Sequence, residues 1–189
     1  MLINRRSNFS YFPLAASLFL IGCRFSPTPE PRSNYLVVGI ESNPLQLDPR
    51  YSTDANGVRI GGLIYNSLMR ADERMRLQPE LAERWTAPDD RTYLFDLRRD
   101  AKFHDGKALT AEDVRYTYES ILNPKSRSPK RGMLKPLDGI DVLGPHRLRF
   151  RLSAPHAPFL EKFTIGIVPV GSPGAETNAM PPPGSGPFM

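Results

Sequence analysis

The chain of 189 residues holds one cysteine, Cys23, so no disulfide can close within it. Its three histidines, His104, His146 and His156, lie far apart and lack the paired spacing of a metal site. No metal or other cofactor is expected. No serine or thiol stands in a recognisable nucleophile setting, and the adjacent His104-Asp105 would have to aim at each other within one tight turn. No catalytic residue is expected either, and the chain is read as not being an enzyme. Long runs of one charge sign are also missing. The 25 Lys and Arg exceed the 20 Asp and Glu by a formal +5, spread along the chain. Without a clustered basic patch, nucleic acid is a poor partner class. The apolar run from Phe12 to Ile21 falls short of the ~20 residues that span a bilayer.

Proline is the abundant residue, with 20 copies at both ends and at element boundaries. Residues 1–22 read as an export signal, with Arg5 and Arg6 ahead of the apolar run and Gly22 before Cys23. Residues 23–34 are rich in Pro and Ser and read as a tether. Folding is expected over 35–189, opening with a buried strand from Tyr35 to Glu41 and a turn through Asn43 to Pro49. Ile60, Leu63, Ile64 and Leu68 have the spacing of one helical face and predict a helix over Arg59 to Met69. Gly61 and Gly62 then either allow close packing or place the helix start after them.

The stretch from Trp85 to Leu122 is the most informative. Tyr93, Phe95 and Leu97 alternate with Leu94, Asp96 and Arg98, as one face of a strand requires. Asp89-Asp90-Arg91 supplies a hairpin turn before it. Phe103-His104-Asp105-Gly106-Lys107 reads as a tight turn with Gly106 at positive φ. Thr110 is the expected cap of a helix whose first turn carries Glu112 and Asp113 and whose buried stripe is Val114, Tyr118 and Ile121. Asn123-Pro124 ends it. The basic stretch 124–136 reads as a solvated connector. A hairpin follows, with Leu148, Phe150 and Leu152 inward and Arg147, Arg149 and Arg151 outward, the arginines discouraging edge association. Pro155 to Phe163 predicts a short helix.

In their order and spacing, Trp85, the strand ending Leu97-Arg98, Phe103-His104-Asp105-Gly106 and Leu109-Thr110-Ala111-Glu112-Asp113-Val114 resemble the extracellular solute-binding proteins of family 5. These are the dipeptide- and oligopeptide-binding components of bacterial ABC importers. Leu47-Asp48-Pro49, Pro79 to Trp85, and Gly184-Ser185-Gly186-Pro187-Phe188 extend the resemblance, with Ser185 where relatives have Thr. The resemblance implies the N-terminal part of a periplasmic-binding-protein type 2 fold. That is an α/β lobe with a mixed, largely antiparallel sheet and flanking helices, its second lobe missing. A truncated lobe would expose apolar surface and be marginally stable. The implied partners are a peptide ligand and an ABC permease. Leu20-Ile21-Gly22-Cys23 resembles a bacterial lipobox, which implies lipidation of Cys23 and an exported protein anchored to the cell envelope. In relatives the loop beyond "LDP" pairs with an extended peptide, which implies ligand contacts from Thr53, Asp54 and Ala55, with Asp54 also suited to a ligand amine. A helix-entry turn over Ser52 to Gly57 is the alternative there. Lys130 stands in a loop where some relatives bring an aromatic toward the ligand. A non-transport surface module, or a non-peptide solute such as a nickel complex or haem, remains the alternative function.

Overall fold

The computed structural model describes residues 39–174 and 180–189. The export signal, the tether, Cys23 and most of the Tyr35–Glu41 segment lie outside the described residues. The described part of that segment, from Gly39 to Glu41, is not in a strand. All the regular structure described lies within residues 40–189.

The first helix, α1, runs from Ala55 to Ile64. It starts four residues before the predicted Arg59 because Asp54 caps it, accepting the Gly57 N–H at 2.8 Å. Its buried residues are Gly57 and Gly61, one turn apart, while Val58 and Leu63 face solvent. An ideal Cβ on Gly57 would come within 2.5 Å of the Gln46 carbonyl oxygen, so the chain before the helix packs directly on its backbone. The expected apolar stripe is therefore split. Leu68 and Met69 leave the helix for the core, and Met69 opens a short strand, β1 (Met69–Ala71), paired antiparallel with β2 (Leu77–Pro79). The turn between them is closed by Asp72, which accepts the N–H groups of Arg74 and Arg76, and it holds Met75 at φ 60°.

Two hairpins build the main sheet. Strands β3 (Ala82–Asp89) and β4 (Thr92–Leu97) join through Asp90-Arg91, and β5 (Leu137–Gly144) and β6 (Arg147–Leu152) through Pro145-His146. The order is β3-β4-β6-β5, with every ladder antiparallel. The predicted alternation holds in both inner strands: Tyr93, Phe95 and Leu97 in β4, and Leu148, Phe150 and Leu152 in β6, are buried. β6, however, lies inside the sheet. Its arginines guard no edge and instead cover the open face in ion pairs, with Arg147 3.4 Å from Asp96 and Arg149 2.7 Å from Asp141. Exposed pairs of this kind add little stability.

The inner face is covered by α2 (Ala111–Leu122) and by a 3₁₀ helix over Ala157–Thr164, the latter where the short helix was expected. The cap of α2 works through Asp113, whose Oδ2 accepts from both the N–H and the hydroxyl of Thr110 at 2.8 and 2.9 Å. Val114, Tyr118 and Ile121 are fully buried, as their spacing predicts. Phe95, Phe150, Phe163 and Tyr118 meet in edge-to-face pairs with centroids 4.7–5.7 Å apart. Each such pair adds about 0.5–1.5 kcal/mol beyond its area burial.

Candidate functional site

The site is built where Leu47-Asp48-Pro49 meets the start of α1. Asp48 folds the chain on itself: its carbonyl accepts the N–H groups of Tyr51 and Ser52, and its carboxylate accepts the Arg50 N–H at 2.9 Å. The same carboxylate takes Arg50 Nε at 3.0 Å and Nη2 at 2.7 Å. Arg50 is only 1% exposed. Its guanidinium also donates to the Pro173 carbonyl at 2.6 Å and lies by the rings of Tyr51 and Tyr116. Burial opposes that charge, but the hydrogen bonds and charge of Asp48 outweigh it and raise the Arg50 pKa. A buried pair with its remaining donors satisfied is a positioning device more than a source of stability.

What it positions is the segment facing 124–136. That segment does not run as a free connector. It forms 3₁₀ turns over Pro124–Ser126 and Pro129–Leu134, and Leu134 enters the core. Buried Ser128 donates to the Arg50 carbonyl at 2.6 Å, and Lys130 Nζ donates to the Pro49 carbonyl at 2.6 Å. Burial lowers the Lys130 pKa, with the Asp48 charge offsetting part of the effect.

Beside this junction lies a cavity of about 400 Å³ whose walls include Ser52, Gly57, Tyr65, Ser67, Glu80 and Lys130. Glu80 is anchored, its Oε2 accepting the Ser67 N–H at 2.7 Å and the Ser67 hydroxyl at 2.8 Å. The Tyr65 hydroxyl donates to the Pro182 carbonyl at 2.8 Å, and burial raises its pKa. Ser52 is 2% exposed, and its Oγ has no hydrogen-bond partner among the described residues.

Thr53 and Ala55 are exposed, and Asp54 is half-buried as the cap of α1. Asp54 Oδ2 is buried without a partner among the described residues. The cavity wall takes the flanking residues Ser52 and Gly57 rather than these three. The helix-entry role weighed for Ser52 to Gly57 is thus present in Asp54. Spacing alone gave no sign of Lys130 or Glu80, because each reaches the cavity through a tertiary contact. The Asp-Pro-Arg run was the readable signal for the fold of 48–52.

His104 and Asp105 form no dyad. His104 donates its N–H to the Gly184 carbonyl at 2.8 Å and sets Nε2 2.8 Å from the Gly186 carbonyl, while Asp105 pairs with Lys107. Two motifs about eighty residues apart in sequence are thus one structural unit. Gly106 takes φ 85°, as the turn demands. Among the described residues, no three His, Cys, Asp or Glu side chains gather where they could hold a metal ion. None of the described helices is long and apolar enough to cross a membrane.

The profile of the bacterial extracellular solute-binding proteins, family 5 Middle, matches residues 76–189. The oligopeptide-binding protein AppA of Bacillus subtilis is 31% identical over 165 residues, covering 81% of this chain and 30% of AppA. Its structure in complex with a nonapeptide superposes with a TM-score of 0.63 at 28% identity, over 65% of this chain and 25% of that one. The probable D,D-dipeptide-binding periplasmic protein DdpA of Escherichia coli is 34% identical over 131 residues, covering 66% of this chain and 25% of DdpA. NikZ of Campylobacter jejuni, in complex with Ni(L-His), gives a TM-score of 0.71 at 30% identity, over 78% of this chain and 31% of NikZ. The chain thus spans 25–30% of the length of the curated relatives AppA and DdpA. Its architecture is that of part of a type 2 periplasmic binding protein. On the profile match and these likenesses together, this chain belongs to the bacterial extracellular solute-binding proteins of family 5.

Proposed function

We propose that the chain serves peptide capture for an ABC importer, exported and held to the cell envelope by lipid on Cys23. The observation that carries the reading is the cavity at the start of α1, open beside Thr53, whose backbone is unengaged among the described residues. Among those residues the N–H and C=O of Thr53 have no partner, and the Asp54 carbonyl is taken by the Val58 N–H, so the edge to which an extended peptide can pair is Thr53 with the free N–H groups of Asp54 and Ala55. Asp54 Oδ2, buried and unpartnered, suits a ligand amine. The peptide as solute is taken from the likeness to AppA and DdpA. A peptide's backbone and charged ends need polar partners on more than one side. Contacts from a second lobe, and hand-over to a permease, are therefore part of the proposal.

The test is calorimetric titration of the purified chain with a pool of di- to hexapeptides, with mass spectrometry of what is retained. Retention at micromolar affinity supports the reading, and a folded chain that retains nothing overturns capture by this chain. Incorporation of labelled palmitate that persists in Cys23→Ser would overturn the lipid anchor. One observation favours a second solute class. The likeness to NikZ, in complex with Ni(L-His), is at least as good as that to AppA. Nickel–histidine belongs in the same titration, and its binding in place of peptide would transfer the reading to a metal chelate.

A further inference from the structure

Lys130 is a cation without a counter-charge. It is half-buried on the cavity wall, and its Nζ bonds a neutral acceptor, the Pro49 carbonyl. An ammonium has three donors. Two of them have no protein partner among the described residues. Asp48 is the acid whose charge reaches Lys130, but both its oxygens are held by Arg50 at 2.7–3.3 Å. Glu80, on the same cavity, spends Oε2 on Ser67. Arg70 lines the rim, is exposed, and makes no ion pair among the described residues. Among the residues on the cavity wall, Lys130 and Arg70 stand against Glu80; Asp54 is not on that wall, and the Asp48–Arg50 pair behind it is neutral. Taking a charge out of water is unfavourable unless something pairs it. The buried Ser52 Oγ on the same wall is a further donor in search of an acceptor.

We infer that the cavity seats an anionic group of its ligand, a carboxylate, against Lys130 Nζ and Ser52 Oγ, with Arg70 adding positive charge at the rim. The inference rests on the solute-binding reading above and adds the charge of the group recognised. A peptide offers that carboxylate at its C-terminus or on an Asp or Glu side chain, and the two sources can be told apart.

The experiment titrates the full chain with three probes: a peptide pool lacking Asp and Glu with free C-termini, the same pool amidated, and an amidated pool containing Asp and Glu. The first or the third should bind about tenfold or more tightly than the second. Recovery of affinity by the third would assign the carboxylate to a side chain, and no recovery to the C-terminus. Lys130→Met should abolish the preference while circular dichroism stays native, and Lys130→Arg should keep it. Equal binding of all three pools, unchanged in Lys130→Met, overturns the inference and leaves solute binding standing. A folded chain that binds none of the three overturns both.

Discussion

In the sheet layer, Phe95, Phe150 and Phe163 pack ring against ring beneath α2, and two of the three, Phe95 and Phe150, are residues that strand alternation singles out. Around α1 the means are different. There the buried face is Gly57 and Gly61, and the fixed points are directed hydrogen bonds: Asp48 to Arg50, Ser128 to the Arg50 carbonyl, Lys130 to the Pro49 carbonyl. Apolar packing is non-directional and grows with area, so the layer supplies the bulk of the stability. A polar network fixes geometry at little net gain. The cavity lies in the second region, where donors are held in place and some are left over.

The comparison can be broken at its strongest point first. Phe150→Ala opens a cavity among three ring contacts and should cost about 4–5 kcal/mol in urea unfolding. A loss near 1 kcal/mol would mean the layer is not the main source of stability. Asp48→Ala strands a buried guanidinium and should cost about 3 kcal/mol, whereas replacing both partners, with Asp48→Leu and Arg50→Met, should recover most of that loss. If the double variant is no better than the single one, the network stabilises as well as positions.

The smallest effect at neutral pH is a titration. Burial keeps the hydroxyls of Tyr118 and Tyr65 protonated far beyond the ordinary tyrosine range. A raised folded pKa contributes stability that is present below the unfolded value of about 10 and is lost as pH rises beyond it. The tyrosinate absorbance of these two should therefore appear only with unfolding. Lys130 has the opposite sign. Its lowered folded pKa is a cost at neutral pH that fades as pH rises towards the ordinary lysine value. Lys130→Met should remove that cost, and an alkaline stability profile identical to the parent's would contradict it.

Legibility in the sequence follows the same division. Strands β4 and β6 and helix α2 bury one face each with large apolar side chains, so their periods are visible in the letters. Helix α1 buries glycines, and no hydrophobic stripe marks its start at Asp54 or its end at Ile64. The β1–β2 hairpin went unread because its turn uses Met75 at positive φ, held by bonds to Asp72 that no turn dipeptide announces. The stretch 124–136 looked like a connector because its buried members, Ser128 and Leu134, follow no helical or strand period. At the candidate site, Thr53 to Ala55 lie between the wall residues Ser52 and Gly57 without lining the cavity themselves. Lys130 is marked there by the family resemblance and by no spacing, since its partner carbonyl at Pro49 lies 81 residues away.

The two faces of α1 carry one more consequence. Asn56 holds Ser42 and Gly57 abuts Gln46 near the start of the helix, while near its end Leu63 and Ile64 accept the N–H groups of Phe188 and Gly186. The path into the sheet layer and the path out of it are therefore clasped side by side on one short rod. Residues 65–174 are pinned to the flanking chain at further points, Ser128 to Arg50, Lys130 to Pro49 and His104 to Gly184 and Gly186. A swing of the layer would have to break those bonds as well as bend the clasp, so the rod and both flanking stretches would have to travel with any transplanted layer.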